Sequence, residues 1–415
     1  QSGCKDIYEY NDYGNMIRRI SQEGENIEYF YYADGKVKGI KYPDLGEVAI
    51  NYNYRGQIEK IQDWNGTINF LYDKFGRITE VCDVQENIIS YNWEGSNKKQ
   101  SIVYPDGQKK IYQYDEITRQ TGIRAGEEEI RYRYDQNGRL MEKIMPNGIS
   151  EEYDYYVNGR MRELIHKDAN GYKMIYHYYY DSVGRLTKEN VFDEKEDLTE
   201  EKKYIYDLLN RLTEVWKNNK KLLEYQYDIF GNRVKEVREG CITNYKYNEL
   251  NQLIEIQIQK GEATDNIYLK YDKRGNLISE KGKSGKKQYI YNSADQLVKF
   301  ISETGESVFY QYDALGNRIK EKRKFGFQSD IREYIYDYTR DYNNILMIRH
   351  NGNDTSYLWD DHLLAENTNG KNNYYQCDFL GSVKQIYNDD GLLFEKRSYD
   401  AFGNIEQGKI DENYP

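Results

Sequence analysis

Arg131-Tyr132-Arg133-Tyr134-Asp135-Gln136-Asn137-Gly138-Arg139-Leu140 decides the fold. Alternation puts Tyr132 and Tyr134 on one face of an extended strand and Arg131 and Arg133 on the other. Asp135 and Gly138 then hold the first and fourth places of a four-residue turn. An aspartate at the first place accepts hydrogen bonds from its own backbone two residues on, and a glycine at the fourth accepts positive φ, as a hairpin with a G1 bulge requires. Arg139-Leu140 opens the return strand. The ten residues read as strand, tight turn, strand.

The same word recurs along the chain. Tyr10, Tyr31, Tyr52, Tyr72, Trp93, Tyr114, Tyr134 and Tyr155 hold its second aromatic place, at gaps of 21, 21, 20, 21, 21, 20 and 21 residues. So regular a period means one unit copied many times. The residues that define it are Tyr72, Asp73 and Gly76; Tyr134, Asp135 and Gly138; Tyr180, Asp181 and Gly184; Tyr227, Asp228 and Gly231; Tyr271, Asp272 and Gly275; and Tyr312, Asp313 and Gly316. Where glycine is missing, Asn210, Asn251 or Asp295 stands in, the residue types that next best tolerate a left-handed backbone.

A second, looser turn is expected at the far end of each unit, at Tyr104-Pro105-Asp106-Gly107, Pro146-Asn147-Gly148 or Asp168-Ala169-Asn170-Gly171. Return strands break strict alternation: Ile17 and Ile20, Ile58 and Ile61, Ile78 and Val81, and Leu212 and Val215 are spaced by three. A bulge beside the turn explains this better than a short helix. After Tyr155 the period loosens. Asp193-Glu194-Lys195-Glu196-Asp197 reads as a longer surface turn, and Asp337-Tyr338-Thr339-Arg340-Asp341 breaks the word. One hairpin is marginal in water. About 19 in succession can pair edge to edge, each covering its neighbour's aromatic face.

Composition agrees. The 415 residues include 46 Tyr and only 4 Pro, with mean hydropathy −0.99. The interior should therefore be aromatic, thin and partly polar. Net charge is −11 with both signs interspersed. No basic block favours nucleic acid, and no apolar run is long enough to insert in a membrane. Four cysteines, Cys4, Cys82, Cys241 and Cys377, contain no CxxC pair and read as isolated thiols. Residue 1 is Gln, so the chain is read as a fragment or a processed product, with any secretion signal outside it.

Catalytic chemistry is not legible. One aspartate per 21 residues serves a turn, whereas calcium loops cluster several oxygens. His166, His177, His350 and His362 are scattered; the first two could meet across a hairpin. Glu127-Glu128-Glu129 reads as a solvated turn. No HExxH, nucleophile elbow or phosphate loop occurs. No catalytic, cofactor or metal residue is assigned, and no enzyme activity is expected. Tyrosine rows could stack sugars, but Trp64, Trp93, Trp216 and Trp359 hold no fixed repeat position, unlike the aromatic words of glycan-binding repeats.

These words resemble the RHS, or YD-repeat, family, which includes bacterial RHS polymorphic toxins, wall-associated repeat proteins, the C component of insecticidal Tc toxins, and animal teneurins. A second signature strengthens the likeness. Tyr374-Tyr375-Gln376-Cys377-Asp378-Phe379-Leu380-Gly381-Ser382-Val383 is similar to the segment that opens the family's core-associated region, through Tyr374, Asp378, Leu380, Gly381 and Ser382. Asn388-Asp389-Asp390-Gly391 and Tyr399-Asp400-Ala401-Phe402-Gly403-Asn404 follow in the same order. The match points to a bacterial RHS protein more than to a teneurin.

The resemblance implies an all-β chain whose hairpins form one long spiralling sheet, a partial hollow β-shell. The repeat array would span residues 1–373, and 374–415 would be the truncated start of the core-associated region. The implied role is a non-enzymatic shell around the protein's own C-terminal toxin or effector, secreted or on a bacterial surface. Many toxin members cut themselves with aspartates in a Pro-x-x-Gly-Arg-containing motif beyond the core region. This sequence stops at Pro415, before any such motif, so no protease residues carry over. The alternative is a surface adhesin or carbohydrate binder, with cell-surface glycan or secretion machinery as further partners.

Overall fold

The computed structural model describes residues 5–95, 98–326, 328–340, 342 and 344–408; Cys4, Asp341 and Pro415 lie outside them. The described residues form thirty-nine strands and no helix. Thirty-seven strands make one antiparallel sheet, and Ser398–Tyr399 pairs with Ile405–Gln407 in a separate ribbon. The chain is all-β, as the alternation requires.

The hairpin read first shows why. Glu128–Tyr134 pairs with Leu140–Ile144 through Arg131↔Ile144, Tyr132↔Lys143 and Arg133↔Glu142, and then skips a residue to Tyr134↔Leu140. Tyr132 is buried while Arg131 and Arg133 are exposed. The skip is the expected bulge, and it falls at the word's tyrosine in hairpin after hairpin. It turns Ile78 and Val81 to one face although they are three apart, so no helix is needed.

Each residue of the word has a bonded role. In the turn from Asp73, Gly76 N–H donates to the Asp73 carbonyl (3.0 Å), and Asp73 N–H donates to the Arg77 carbonyl (2.9 Å). The Asp73 carboxylate accepts from the N–H groups of Phe75 (2.8 Å) and Arg77 (3.0 Å) and from Arg77 Nε (2.7 Å). Gly76 has φ +85°, the left-handed region that a side chain resists. The turns of Asp135, Asp181, Asp228, Asp272 and Asp313 carry the same capping bonds. The Asp135 carboxyl is held below the usual carboxylate range, first by the Arg139 backbone N–H. Asp313 is buried, and burial pushes its carboxyl up to about 6.

The tyrosine joins one hairpin to the last. Tyr72 Oη–H donates to the Ile58 carbonyl at 2.6 Å, Tyr134 to Gln120 at 2.7 Å, Tyr206 to Leu186 at 2.8 Å, Tyr227 to Leu212 at 2.6 Å and Tyr271 to Leu253 at 2.9 Å. Every acceptor stands two residues past the left-handed place of the preceding turn. Trp93 Nε1–H makes the same bond to Ile78 at 2.6 Å, so indole substitutes for phenol without losing the rung. The arginine after the turn reaches forward. Arg139 lies over the Tyr155 ring (5.0 Å) and Arg211 over Tyr227 (4.8 Å). Each bond contributes about 1 kcal/mol and each partly exposed cation–π contact about 0.5–1 kcal/mol. Coupling between neighbours is thus repeated rather than strong at any one place.

Two expectations are corrected. The far-end turns are not looser. Tyr104–Gly107, Met145–Gly148 and Asp168–Gly171 repeat the same backbone bonds. Others tighten to two left-handed residues, as at Asn218-Asn219, Glu239-Gly240 and Asn369-Gly370. Asp193–Asp197 is also an ordinary turn of this kind. The period lengthens there because the strands do: Leu198–Tyr206 has 9 residues and Thr67–Tyr72 has 6.

The chain divides into two compact units. The first comprises Gln1–Gln108, Lys246–Ile256 and Asp265–Asn353; the second comprises Lys109–Tyr245, Gln257–Thr264 and Asp354–Pro415. In the first unit, early strands pack on strands about 250 residues later. Ile68, Val81, Ile89, Ile335 and Met347 are fully buried, and each large aliphatic side chain so buried contributes roughly 1.5–3 kcal/mol. Polar bonds fix the register of the layers. Asn65 Nδ2 donates to the Tyr312 carbonyl (2.7 Å), Lys99 pairs with Asp337 (2.8 Å), and Arg274 pairs with Glu25 (2.7 Å).

Candidate functional site

In the second unit, four adjacent strands place one row of side chains on a common face. Tyr132 stands opposite Lys143, Lys143 opposite Glu151, and Glu151 opposite His166. Tyr153, two residues past Glu151, shares that face. Alternation from Tyr132 and Tyr153 points these positions inward, where a hydrocarbon is expected. Instead Lys143, Glu151 and His166 are 4%, 1% and 1% exposed.

The charges are matched. Lys143 Nζ and Tyr153 Oη–H each lie 2.5 Å from Glu151 Oε2, and Cys377 N–H donates to Glu151 Oε1 at 3.0 Å. Burial pushes the Glu151 carboxyl up, but Lys143 and these donors outweigh it and hold it below the ordinary value. Burial likewise works against the Lys143 ammonium, and Glu151 more than restores it. The pair is an ammonium carboxylate.

His166 sits beside it, with Nε2 3.0 Å from the Cys377 carbonyl and Nδ1 3.2 Å from the Gln385 side-chain amide. Burial pushes the imidazole below its ordinary value of 6.5, so the neutral ring donates one N–H, from Nε2 to the Cys377 carbonyl or from Nδ1 to Gln385 Oε1, according to its tautomer. The sign of the pH effect follows. The unfolded chain takes up a proton near pH 6.5 that the folded chain refuses. Stability contributed by the neutral ring is present above that pH and is lost as pH falls below it. The urea midpoint of the wild type is expected to drop between pH 7.5 and 5.5 by more than that of His166→Gln; equal drops would refute the assignment.

The signature segment covers this row. Lys371–Cys377 and Val383–Asn388 pair as a hairpin about the turn at Asp378. Asp378 accepts from Leu380 N–H (3.0 Å) and Ser382 N–H (2.9 Å), and Gly381 has φ +87°. A Cβ at Gly381 would fall 2.6 Å from His362 Nδ1. Tyr374 Oη–H donates to Glu128 at 3.1 Å, and Gln376 Nε2 donates to the carbonyls of Ser150 (2.9 Å) and Lys167 (3.1 Å). Phe379 packs on Tyr178 with ring centres 4.6 Å apart. Glu128 is therefore an anchor for the signature, not part of a solvated turn. His166 and His177 do not meet, since His177 bonds Glu163 at 2.6 Å.

Glu151, His166 and Cys377 suggest a thiol site by composition, but not by geometry. His166 faces the carbonyl of Cys377, whose Sγ points to the Leu363 carbonyl at 4.0 Å. Burial, with Glu151 nearby, pushes that thiol up, away from thiolate. Among the described residues, no three His, Cys, Asp or Glu side chains converge as metal ligands would. Beyond Phe379 lies a cavity of about 580 Å³, lined by Tyr180, Tyr204, Tyr206, Lys384, Tyr399 and Phe402 among others. Glu189 lines it too; burial pushes its carboxyl up, and Tyr204 Oη–H donates to it at 3.2 Å. The sequence does not show what caps the row or what closes the cavity, because Cys377 and Gln385 lie more than 150 residues from Glu151 and His166, as do the cavity's two sides from each other.

A family model for the teneurin YD-shell matches residues 175–414, more than half of the chain. Double-stranded DNA deaminase toxin A of Burkholderia cenocepacia (strain H111) is 24% identical over 270 residues, covering 61% of this chain and 18% of that protein. The tRNA3(Ser)-specific nuclease WapA of Bacillus spizizenii is 26% identical over 320 residues, covering 74% of this chain and 13% of that protein. Human teneurin-4 is 24% identical over 427 aligned positions, covering 94% of this chain and 14% of that protein. The chain spans less than a fifth of the length of these relatives. Among solved structures, TcdB2-TccC3 without its hypervariable C-terminal region superposes with a TM-score of 0.70 at 12% identity, over 97% of this chain and 24% of that one. That likeness shows a shared fold. With the tyrosine-aspartate turns and their rungs, the match places this chain in the teneurin YD-shell family, within the wider group of YD-repeat, or RHS, proteins.

Proposed function

We propose that this chain is a wall segment of a shell that holds a C-terminal toxin or effector polypeptide away from solvent and from the cell that makes it. The wall has no enzyme activity in this reading, and its setting is extracellular or at a bacterial surface. Residues 1–373 are the array, and 374–415 begin the core-associated region. One observation carries the reading: the signature hairpin is pinned to the repeat strands by buried bonds to Glu151 and His166 and a partly buried one to Glu128. Whatever chain follows it therefore starts from a fixed point on the wall. The names of the toxin relatives agree with such a cargo.

The test is a passenger polypeptide fused after Pro415. Encapsulation predicts that the passenger survives a protease dose that destroys it when free; equal digestion rates would refute the reading. Scattering gives a second readout. A solid globule of this length has a radius of gyration of about 22 Å, and a wall around an enclosed space must exceed it. The rival, a glycan-binding adhesin, draws on exposed rings such as Tyr13 and Tyr54, each 90% exposed. Saturable binding on a glycan array, lost when those two are replaced, would favour the rival.

A further inference from the structure

The word's turns occur in two states. In the first unit, later turns are covered by earlier ones in one recurring way. The second residue of each covered turn donates its backbone N–H to a side chain from another turn or strand. Lys273 N–H donates to Glu23 (3.3 Å), Ser293 N–H to Asp44 (3.0 Å), Ala314 N–H to Asp63 (2.7 Å) and Tyr338 N–H to the Tyr91 hydroxyl (3.2 Å). Three of these four acceptors are carboxylates.

In the second unit, four consecutive hairpins carry the same turns uncovered. Their second residues are Val157, Ser182, Leu208 and Ile229, and among the described residues none of these N–H groups has a protein partner. Large apolar side chains surround them. Leu208 is 101% and Ile229 90% exposed, and Val157, Val183, Leu209 and Phe230 also face solvent. At two strands per hairpin the row extends roughly 30 Å. An apolar row of this length is unusual on a free surface. Arg160, which stacks on Tyr180, adds a guanidinium with no carboxylate partner among the described residues.

We propose that this rim, from Val157 to Phe230, docks a partner polypeptide that presents a row of β-turns bearing aspartate or glutamate. The carboxylates would accept from the four open N–H groups, as Glu23, Asp44 and Asp63 do for covered turns, while the apolar side chains pack between them. The inference is independent of what the shell encloses. It predicts the chemistry of the occupant from the molecule's own covered turns.

The probe is a peptide of residues 36–70 of this chain, which carries the Asp44 and Asp63 turns. Added to the intact, isotope-labelled protein, it should give saturable shifts of the Ser182, Leu208 and Ile229 amide resonances. Binding should weaken at least about tenfold, or about 1.4 kcal/mol, for the peptide with Asp44→Asn and Asp63→Asn. It should weaken equally for the protein with Leu208→Ser, Leu209→Ser, Ile229→Ser and Phe230→Ser, all exposed positions. No saturable shift at millimolar peptide would overturn the proposal, as would shifts indifferent to both sets of changes. Self-association that the serine variant abolishes and the peptide does not compete would assign the rim to a second copy instead.

Discussion

Glu151→Ala should destabilise the folded chain by about 3–5 kcal/mol, the range for removing one partner of a buried ion pair. The loss is broader than one bond. It strands the Lys143 ammonium, the Tyr153 hydroxyl and the Cys377 N–H, all of which converge on this carboxylate. Lys143→Met alone should cost a similar amount, because it leaves the carboxylate buried and unpaired. Combining Glu151→Ala with Lys143→Met should cost much less than the sum of the single changes, since neither charge then remains. Urea unfolding of the four proteins closes the cycle. Hydrogen exchange supplies a local readout: the Cys377 amide should exchange far faster in Glu151→Ala. A loss under about 1 kcal/mol, or an unchanged Cys377 amide, would show that the pair is not what holds the signature strand.

Tyr178 should give effects of opposite sign in two substitutions. It is fully buried, with Leu164, Tyr176 and Val191 around it and Phe379 against its ring. Tyr178→Ala opens a cavity there and should cost about 3–5 kcal/mol. Its hydroxyl, however, is buried with no hydrogen-bond partner among the described residues. Tyr178→Phe removes that unsatisfied group and keeps the ring, so it should stabilise by about 1 kcal/mol. Tyrosines of the word behave the other way: Tyr72→Phe breaks the bond to Ile58 and should destabilise by about 1 kcal/mol. A stabilising Tyr72→Phe, or a destabilising Tyr178→Phe, would contradict the assignment of which phenols are bonded.

The hairpin, its turn and its bulge were legible because their causes are local. Asp73, Gly76 and Arg77 act within five residues, and a 20- or 21-residue period announces the copies. Neighbour pairing was legible for the same reason. The polar row was half legible: stepping back two residues from Tyr153 puts Glu151 on the buried face, which flags it as unusual. What Glu151 meets could not be read, since Cys377 lies 226 residues away and no motif links them. Lengthened strands were misread as a longer turn because acidic and basic residues suit both, and only the bond from Asp193 N–H to Asp197 distinguishes them. The family likeness supplied the shell, which no local pattern encodes.

One end of each hairpin that carries a phenol rung is a fixed hem. Tyr206 still reaches Leu186 although its strand has grown to 9 residues, because donor and acceptor both sit beside the turn. Length can therefore be added at the opposite end without unpicking the stitch. A gene that duplicates or deletes one whole module inserts or removes a matched donor and acceptor together, so arrays of this kind can change size by copying errors while every seam stays closed.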